Sequence, residues 1–291
     1  MRITNESAPK KAKNKGFLVI IAVLAIFALL FVDSKYRLVT TKYELFYDNL
    51  PQSFDGYKVV QLSDLHMEEY GENNERLIEE VTKNKPDIIV FTGDVINMSG
   101  KKTVDNQSEK LRPFLEDLSK IAPCYFISGN HEWASGELNT FVELLEDLNI
   151  LYLRNEHVLL ERNNESIVLA GVEDPNGPAD MITPDVFVEN INNEYPEKFK
   201  MMLGHRNDWL QKYPDIPVDL ILCGHAHGGV VRIPFVGGVF GTGMELFPKY
   251  DAGAYNEGNY DMIISRGLGG NTPMPRFLNN PEIVLVVLRK A

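Results

Sequence analysis

Cysteine is scarce in this sequence, which contains two in 291 residues. Cys124 and Cys223 each lie in an apolar, strand-like run just upstream of a cluster of polar residues. We favour buried free thiols at both positions, with a disulfide as the alternative. Neither cysteine is placed like a metal ligand, so we do not expect a structural zinc site built from thiolates.

Basic stretches with interleaved aromatic residues are missing outside the N-terminal tail. Residues 1–16 carry five basic side chains and one acidic side chain, a net charge of +4, so the formal charge of −12 leaves −16 on the remainder. A domain with this much negative charge would repel a nucleic-acid backbone over most of its surface. We therefore expect no nucleic-acid partner, and we infer no protein partner.

Long hydrophobic runs are also rare, and the clear example lies near the N-terminus. From Phe17 to Val32, sixteen apolar residues follow one another without a charge. As a helix they would rise roughly 24 Å, slightly less than a ~30 Å hydrocarbon core, so flanking residues would complete the span. No small-x-small cleavage motif follows Val32, so we favour an uncleaved signal anchor over a cleaved signal peptide or a buried core helix. The lysines of the tail favour a cytoplasmic N-terminus, which places residues 33–291 on the outer face of the membrane.

These features divide the chain into four parts. We predict a basic cytoplasmic tail at 1–16, a transmembrane signal anchor at 17–32, a linker and entry segment at 33–55 and the main domain at 56–291. The part after the anchor is long enough for one large domain with a sizeable core.

Strand and helix signals alternate through the first half of this domain. Strands are predicted at 58–62, 87–91 and 124–128, and helices at 74–84, 107–119 and 137–148. This rhythm predicts a layered α/β fold with crossover helices. Later strand-like runs lack long intervening helices and indicate a second sheet; they lie at 157–160, 167–171, 200–203, 220–223, 261–265 and 283–288.

Histidine is scarce too, yet five of the six histidines lie in short polar clusters. The clusters are Asp64-Leu65-His66, Gly93-Asp94, Gly129-Asn130-His131, His205 and Gly224-His225-Ala226-His227, and each follows an apolar strand candidate. Strand ends converge at one edge of an open α/β sheet, and alternate residues of an extended segment project to the same side. Carboxylate, amide and imidazole groups without a thiolate suit Mn²⁺, Fe or Zn²⁺, and their number exceeds the needs of one ion. His157 lies outside the clusters and is interpreted as structural or surface.

The order of these blocks, D-x-H, G-D, G-N-H-E, a lone histidine and G-H-x-H, resembles the calcineurin-like metallophosphoesterases from about Val59 to the C-terminus. The G-H-A-H-G-G run, the S-R-G-L-G at 265–269 and the N-terminal anchor resemble the branch of membrane-associated bacterial phosphodiesterases called YaeI/YkuE-like. Two positions depart from the usual pattern, Asn207 in place of a proline and Val230 in place of a glutamine. The resemblance implies a two-sheet α/β/β/α sandwich preceded by one transmembrane helix.

The resemblance also implies a site for two divalent ions, with Mn²⁺ favoured and Fe or Zn²⁺ possible. One ion would be held by Asp64, His66 and His227, and the other by Asn130, His205 and His225, with Asp94 bridging both. A hydroxide shared by the ions would attack phosphorus.

Four further residues receive roles around this site. His131 would protonate the leaving alkoxide. Glu132 would either orient His131 or, as we favour, be a solvated loop or cap residue. Arg206 and Arg266 could bind substrate phosphate through a bidentate fork or form surface salt bridges.

The expected function is that of a membrane-anchored phosphoesterase, a phosphodiesterase rather than a monoesterase. A tethered enzyme gains effective concentration toward phospholipid, glycolipid or other cell-envelope phosphoesters, which are therefore the favoured substrates. One alternative is a phosphatase or cyclic-nucleotide phosphodiesterase that acts on soluble substrates, and another is a metal-containing envelope binding protein without turnover. The apolar loop at 230–241 could dip toward lipid or pack as core.

Overall fold

The apolar run near the N-terminus forms part of a single helix, α1 (Lys13–Tyr36), in the computed structural model, which describes residues 13–98, 104–136, 138–270 and 275–291. The helix is long and apolar enough from Gly16 to Tyr36 to cross a membrane, and its apolar side chains are exposed. The predicted span at 17–32 lies within it, whereas most of the predicted tail lies outside the described residues.

Strands and helices alternate after α1 much as the sequence pattern predicts. The strands are β1 (Val39–Tyr47), β2 (Tyr57–Leu62), β3 (Ile88–Phe91), β4 (Cys124–Phe126), β5 (Leu151–Tyr152), β6 (Glu156–Arg162), β7 (Glu165–Val172), β8 (Lys200–Gly204), β9 (Leu220–Cys223), β10 (Arg232–Ile233), β11 (Gly237–Gly238), β12 (Gly253–Asn256), β13 (Asp261–Ile264) and β14 (Glu282–Lys290). The other α-helices are α2 (Glu75–Asn84), α3 (Val104–Ser119), α4 (Asn130–Ser135), α5 (Leu138–Asp147), α6 (Pro184–Glu194) and α7 (Trp209–Lys212).

Two six-stranded sheets and a small β10–β11 hairpin are built from these strands. The first sheet has the order β1-β14-β2-β3-β4-β5, in which β2 to β5 are parallel and β14 is antiparallel to β2. The second sheet has the order β12-β13-β9-β8-β7-β6, in which β7, β8, β9 and β13 are parallel and the two edge strands are antiparallel to their neighbours.

The two sheets face each other across an apolar core. Val59 and Val90 of the first sheet lie in the same buried cluster as Leu169 and Leu222 of the second. Helices α2, α3 and α5 cover the outer face of the first sheet, and α6 and α7 cover the outer face of the second. Each layer buries one apolar face, which is the condition for a stable sandwich. The predicted α/β/β/α architecture is confirmed.

Three features differ from the sequence prediction. The run at 283–288, assigned to the second sheet, belongs to β14 in the first sheet, so that assignment is wrong. The segment at 33–55, described as a linker, contains β1, which pairs with β14 along its whole length. Helix α6 lies between β7 and β8, where no helix was predicted.

Candidate metal centre

The polar clusters follow five parallel strands whose carboxyl ends meet where the two sheets face each other. Strands β2, β3 and β4 of the first sheet are followed by Asp64, Asp94 and Asn130. Strands β8 and β9 of the second sheet are followed by His205 and His225. Because parallel strands end at the same edge of a sheet, residues far apart in sequence become neighbours here.

The first group of facing side chains comes mainly from the ends of β2, β3 and β9. Asp64, His66, Asp94 and His227 are all buried, and one potential ligand atom of each lies within 4.8 Å of the others. The Nε2 atoms of His66 and His227 are 3.2 Å apart. His66 Nε2 is 3.7 Å from Asp94 Oδ2, and His227 Nε2 is 3.5 Å from Asp64 Oδ1.

A second group shares Asp94 with the first. His205 Nε2 lies 3.2 Å from Asp94 Oδ2, 3.1 Å from Asn130 Oδ1 and 3.2 Å from His225 Nδ1. His205 Nδ1 lies 2.7 Å from the Thr92 carbonyl oxygen, which fixes the ring with Nε2 toward Asp94. The structure therefore brings together all seven residues that the sequence suggested as ligands, and Asp94 stands between the two sets.

The spacing of these atoms fits a pair of divalent ions. Nitrogen and oxygen ligands lie about 2.0–2.2 Å from an ion such as Zn²⁺, so neighbouring ligands of one ion are roughly 3.0–3.6 Å apart. The nitrogen and oxygen separations within the two groups fall close to this range. Imidazole, amide and carboxylate donors without a thiolate suit Mn²⁺, Fe or Zn²⁺.

Protonation in the centre also favours ion binding. Burial lowers the pKa of His66 and of His227, and burial with the nearby His205 and Arg206 lowers the pKa of His225 to about 2. At His205 burial acts in the same direction, but the Asp94 carboxylate outweighs it and raises the pKa to about 10. Neutral imidazoles are the form that a metal ion requires, so the lowered pKa values of His66, His225 and His227 favour ion binding.

The backbone around the centre is held in an uncommon conformation. Positive φ angles of 48–66° occur at five of the seven suggested ligand residues, namely Asp64, His66, Asp94, His225 and His227. Such angles are uncommon for residues other than glycine and cluster at functional sites. Close approach explains two of the adjoining glycines. A Cβ at Gly224 would overlap Ser63 Oγ, and Gly93, with φ +89°, lies against the backbone of Gly129.

His131 lies beside the shared carboxylate in a defined orientation. Its Nδ1 accepts a hydrogen bond from the Met98 N–H at 3.0 Å, and its own backbone N–H donates to Asp94 Oδ1 at 2.8 Å. In the neutral ring the proton is therefore on Nε2, which lies 4.0 Å from Asp94 Oδ2. Burial lowers the pKa of His131.

Glu132 is fully buried, so the prediction of a solvated side chain is wrong. The alternative prediction of a cap residue is correct, because Glu132 caps the N-terminus of α4. Its carboxylate accepts four backbone N–H hydrogen bonds, from Asp94, Val95, Ile96 and Gly129, at 2.7–3.1 Å. Sequence reasoning missed this function because three of the four partners, Asp94, Val95 and Ile96, follow a different strand, β3. The side chain joins the loop that carries Asp94 to the loop that carries Asn130.

The two arginines suggested as phosphate ligands have different environments. Arg206 forms a bidentate ion pair with buried Asp174, at 2.6 and 3.0 Å, and its Nη1 lies 3.0 Å from His225 Nε2. Arg266 instead pairs with Glu282 at 2.9 Å. Within the described part of the chain, Arg206 lines the cleft beside the metal centre and Arg266 does not.

The cleft beside the metal centre has a volume of about 870 Å³. Its lining includes Asn130, Arg206 and His225 from the centre and Glu245 and Lys249 from the loop between β11 and β12. A second cavity, of about 230 Å³, adjoins His205 and Arg206 and has a largely apolar lining that includes Met181, Ile182 and Trp209. Arg206 therefore lines both a polar cleft and a more apolar cavity next to the centre.

The calcineurin-like phosphoesterase family matches residues 57–229, which contain all of the suggested metal ligands. The chain belongs to this family. It is 29% identical over 257 residues to the metallophosphoesterase YkuE of Bacillus subtilis, covering 87% of this chain and 86% of that protein. It is 27% identical over 259 residues to the phosphodiesterase YaeI of Escherichia coli, covering 87% and 88%.

A third relative is the UDP-2,3-diacylglucosamine pyrophosphatase LpxG of Chlamydia trachomatis. The identity is 26% over 290 residues, covering 82% of this chain and 86% of that protein. The resemblance to calcineurin-like metallophosphoesterases and to the YaeI/YkuE-like branch is therefore confirmed, and the chain is a phosphoesterase of this hydrolase family.

Proposed function

We propose that the protein is a membrane-anchored phosphodiesterase that hydrolyses phospholipid, glycolipid or other cell-envelope phosphoesters with two divalent ions at the metal centre. The observation that carries the proposal is the position of Asp94 between two sets of ligand-type side chains, 3.7 Å from His66 Nε2 and 3.2 Å from His205 Nε2. One carboxylate that serves two ions is typical of dinuclear hydrolase sites.

The substrate class is supported by relatives and by the surfaces around the centre. The Escherichia coli relative is named a phosphodiesterase, and the Chlamydia trachomatis relative is named for a diacylated nucleotide-sugar substrate. The apolar cavity beside Arg206 would suit the hydrophobic part of such a molecule. Helix α1 would hold the enzyme at the bilayer, and the basic tail at 1–16 favours a catalytic domain on the outer face.

Each side chain of the centre receives a role in this proposal. Asp64, His66 and His227 would hold one ion, Asn130, His205 and His225 the other, and Asp94 both. Bound ions neutralise phosphate charge and activate a water molecule. Arg206 would position a phosphate oxygen in the cleft, and His131 would hold the proton on Nε2 for the leaving alkoxide.

Replacement of His131 by alanine tests the proton donor. We expect kcat/KM to fall roughly 10²- to 10⁴-fold for diesters with alkyl leaving groups. For bis-p-nitrophenyl phosphate the loss should be far smaller, because p-nitrophenolate leaves without a proton. Measuring both substrates at saturating Mn²⁺ separates these effects.

Metal content provides the control for this variant. The His131→Ala protein should retain the metal content of the wild type by elemental analysis, since His131 is not among the proposed ligands. Equal losses on good and poor leaving groups would contradict the donor role and indicate a displaced Asp94, whose carboxylate accepts the His131 backbone N–H.

The two arginines provide a matched pair for the phosphate contact. Arg206→Lys and Arg266→Lys both keep a cation beside a buried carboxylate, but both lose the planar fork. We expect Arg206→Lys to raise KM for a diester and Ki for inorganic phosphate about tenfold. Arg266→Lys should change neither constant, because Arg266 lies outside the lining of the cleft. Equal inhibition constants for phosphate in the two variants would show that Arg206 does not bind the phosphate.

The substrate class is tested with the full-length protein in nanodiscs and Mn²⁺. We expect bis-p-nitrophenyl phosphate to be hydrolysed faster than p-nitrophenyl phosphate, and bilayer-embedded diacyl phosphodiesters faster than their short-chain soluble forms. A preference for soluble substrates would favour a phosphatase or cyclic-nucleotide phosphodiesterase. A protein that binds two ions but turns over none of these esters would favour the binding-protein alternative.

A further inference from the structure

A group of exposed apolar side chains surrounds the β10–β11 hairpin and the loop that follows it. We call these residues the apolar rim: Ile233, Phe235, Val236, Met244, Leu246 and Phe247. Phe235, between β10 and β11, is fully exposed. Phe235, Met244 and Phe247 hold positive φ angles of 54–67°, which are unusual for bulky residues. The segment thus presents large apolar groups to its surroundings from a strained backbone.

The rim is connected to α1 through Phe277. The Arg232 N–H donates to the Phe277 carbonyl oxygen at 3.0 Å, and Val231 forms an isolated β-bridge with Phe277. On its other side, the Phe277 ring stacks on Phe27 of α1, with 5.6 Å between ring centroids. One short segment therefore contacts both the hairpin and the apolar helix.

The contact with Phe27 sets the depth of this segment. Phe27 precedes Asp33 by six residues, so it lies roughly 9 Å along the helix from the first charged side chain. The end of α1 is held to the domain by two further contacts. The Leu278 N–H donates to Ser34 Oγ at 2.7 Å, and Asn280 Nδ2 donates to the Asp33 carbonyl oxygen at 2.8 Å. If α1 spans the bilayer, Phe277 lies below the level of the headgroups.

We propose that the apolar rim inserts into the bilayer leaflet next to the catalytic domain, as a second membrane contact beside α1. The proposal rests on the membrane span of α1 proposed above. Lipid is the occupant that the observations favour, because the rim continues a surface that starts on the apolar helix itself. Amphipathic helices at a membrane surface bury their apolar faces about 5–10 Å into the boundary between headgroups and acyl chains, and the depth of Phe277 is similar.

Insertion of the rim would bring the metal centre to the lipid headgroups. The hairpin follows His227 after a few residues, and Asn279 Nδ2 donates to the carbonyl oxygens of both His227 and Val230. The loop between β11 and β12 also provides Thr242 and Glu245 to the cleft that contains His225. One wall of the cleft is therefore continuous with the rim, so a phosphoester at the bilayer surface would reach the centre without leaving the membrane.

Fluorescent labelling of the full-length protein in nanodiscs tests the proposal without any measurement of turnover. The introduced cysteine would carry the label, because native Cys124 and Cys223 are buried. In discs of phosphatidylcholine and phosphatidylglycerol, an environment-sensitive fluorophore at Phe235→Cys should emit at shorter wavelength than in water. Lipids with a doxyl group on the acyl chain should quench it about twofold or more, as expected for insertion.

Two controls separate the possible failures. Phe46→Cys replaces another exposed phenylalanine, seven residues along β1 from Val39 and therefore roughly 23 Å from the end of the strand nearest α1. Its label should stay unquenched. Val23→Cys, on α1, should be quenched if the helix spans the bilayer.

Quenching at Val23 without quenching at Phe235 would overturn the proposed insertion of the rim but support the membrane span of α1. No quenching at either position would overturn both the insertion of the rim and the membrane span of α1. A label at Phe235 that is shielded only at high protein-to-disc ratios, without quenching by doxyl lipids, would show that a second copy covers the rim and would also overturn the proposal.

Discussion

Replacement of Asp94 by alanine is expected to abolish turnover and to remove at least one bound ion. Asp94 Oδ2 faces both His66 and His205, so its loss removes the only proposed ligand shared by both ions. Without this carboxylate nothing holds the ions at the ~3.5–4 Å separation that clamps a phosphate. We expect kcat/KM for bis-p-nitrophenyl phosphate to fall about 10³-fold or more. Elemental analysis should show bound Mn²⁺ falling from about two ions per chain to about one or none.

Two further variants distinguish a lost ligand from a disturbed fold. Asp94→Asn keeps an oxygen that can accept the His131 backbone N–H, yet it lacks the negative charge between the ions. It should therefore lose almost as much activity as Asp94→Ala. Asp219→Ala removes a half-buried aspartate from the opposite end of β9, where it accepts the Lys200 N–H, and should leave metal content unchanged. If the Asp94→Ala protein bound two ions and had normal turnover, Asp94 would not be a ligand shared by both ions.

The meeting of the polar clusters could be predicted because strand direction determines it. The runs before Asp64 and Asp94 are apolar and short, as expected of strands buried on both faces in a parallel sheet. Once such strands are recognised as parallel, the residues after them must lie at the same edge. The prediction therefore needed local patterns and one topological rule, and no knowledge of side-chain contacts.

Sheet membership could not be predicted in the same way. Strand β14 is apolar without interruption from Ile283 to Leu288, so its sequence fits the centre of either sheet equally well. Its partners, β1 and β2, precede it by more than 200 residues, and no local signal indicates pairing at that distance. The alternation of polar and apolar residues in β1 indicates a strand with one exposed face, although this segment follows directly on the apolar helix α1.

The supporting contacts of the centre were also beyond sequence reasoning. The fork of Arg206 toward Asp174 joins residues that follow β8 and β7, and Arg266, which follows β13, pairs with Glu282, the first residue of β14. The sequence around Arg206 and Arg266 does not indicate which of the two lies beside the metal centre. The left-handed backbone at Asp64 and His66 was equally hidden, although aspartate and histidine tolerate it better than most residues do.

The second large effect is expected at Glu132, whose replacement by alanine should destabilise the domain. The variant would leave four buried backbone N–H groups without their acceptor, from Asp94, Val95, Ile96 and Gly129. Each unsatisfied buried group costs about 1–3 kcal/mol, and partial relaxation reduces the sum. We expect the free energy of unfolding to fall by about 3–5 kcal/mol, measured by urea denaturation at pH 8. Burial and the Asp94 carboxylate raise the pKa of Glu132 to about 7, so the wild-type side chain is mainly ionised at that pH.

Graded variants and added metal show whether Glu132 stabilises the metal centre as well as the fold. Glu132→Gln keeps one oxygen acceptor but directs an amide NH₂ toward two N–H donors, so its loss of stability should be smaller than that of Glu132→Ala. Glu161→Ala, on the exposed edge strand β6, should unfold like the wild type. Ions that bind only the folded protein stabilise it. Because Glu132 joins the loops of Asp94 and Asn130, Mn²⁺ should stabilise Glu132→Ala much less than the wild type. Equal stabilisation of both proteins by Mn²⁺ would show that the ligands keep their positions without this carboxylate.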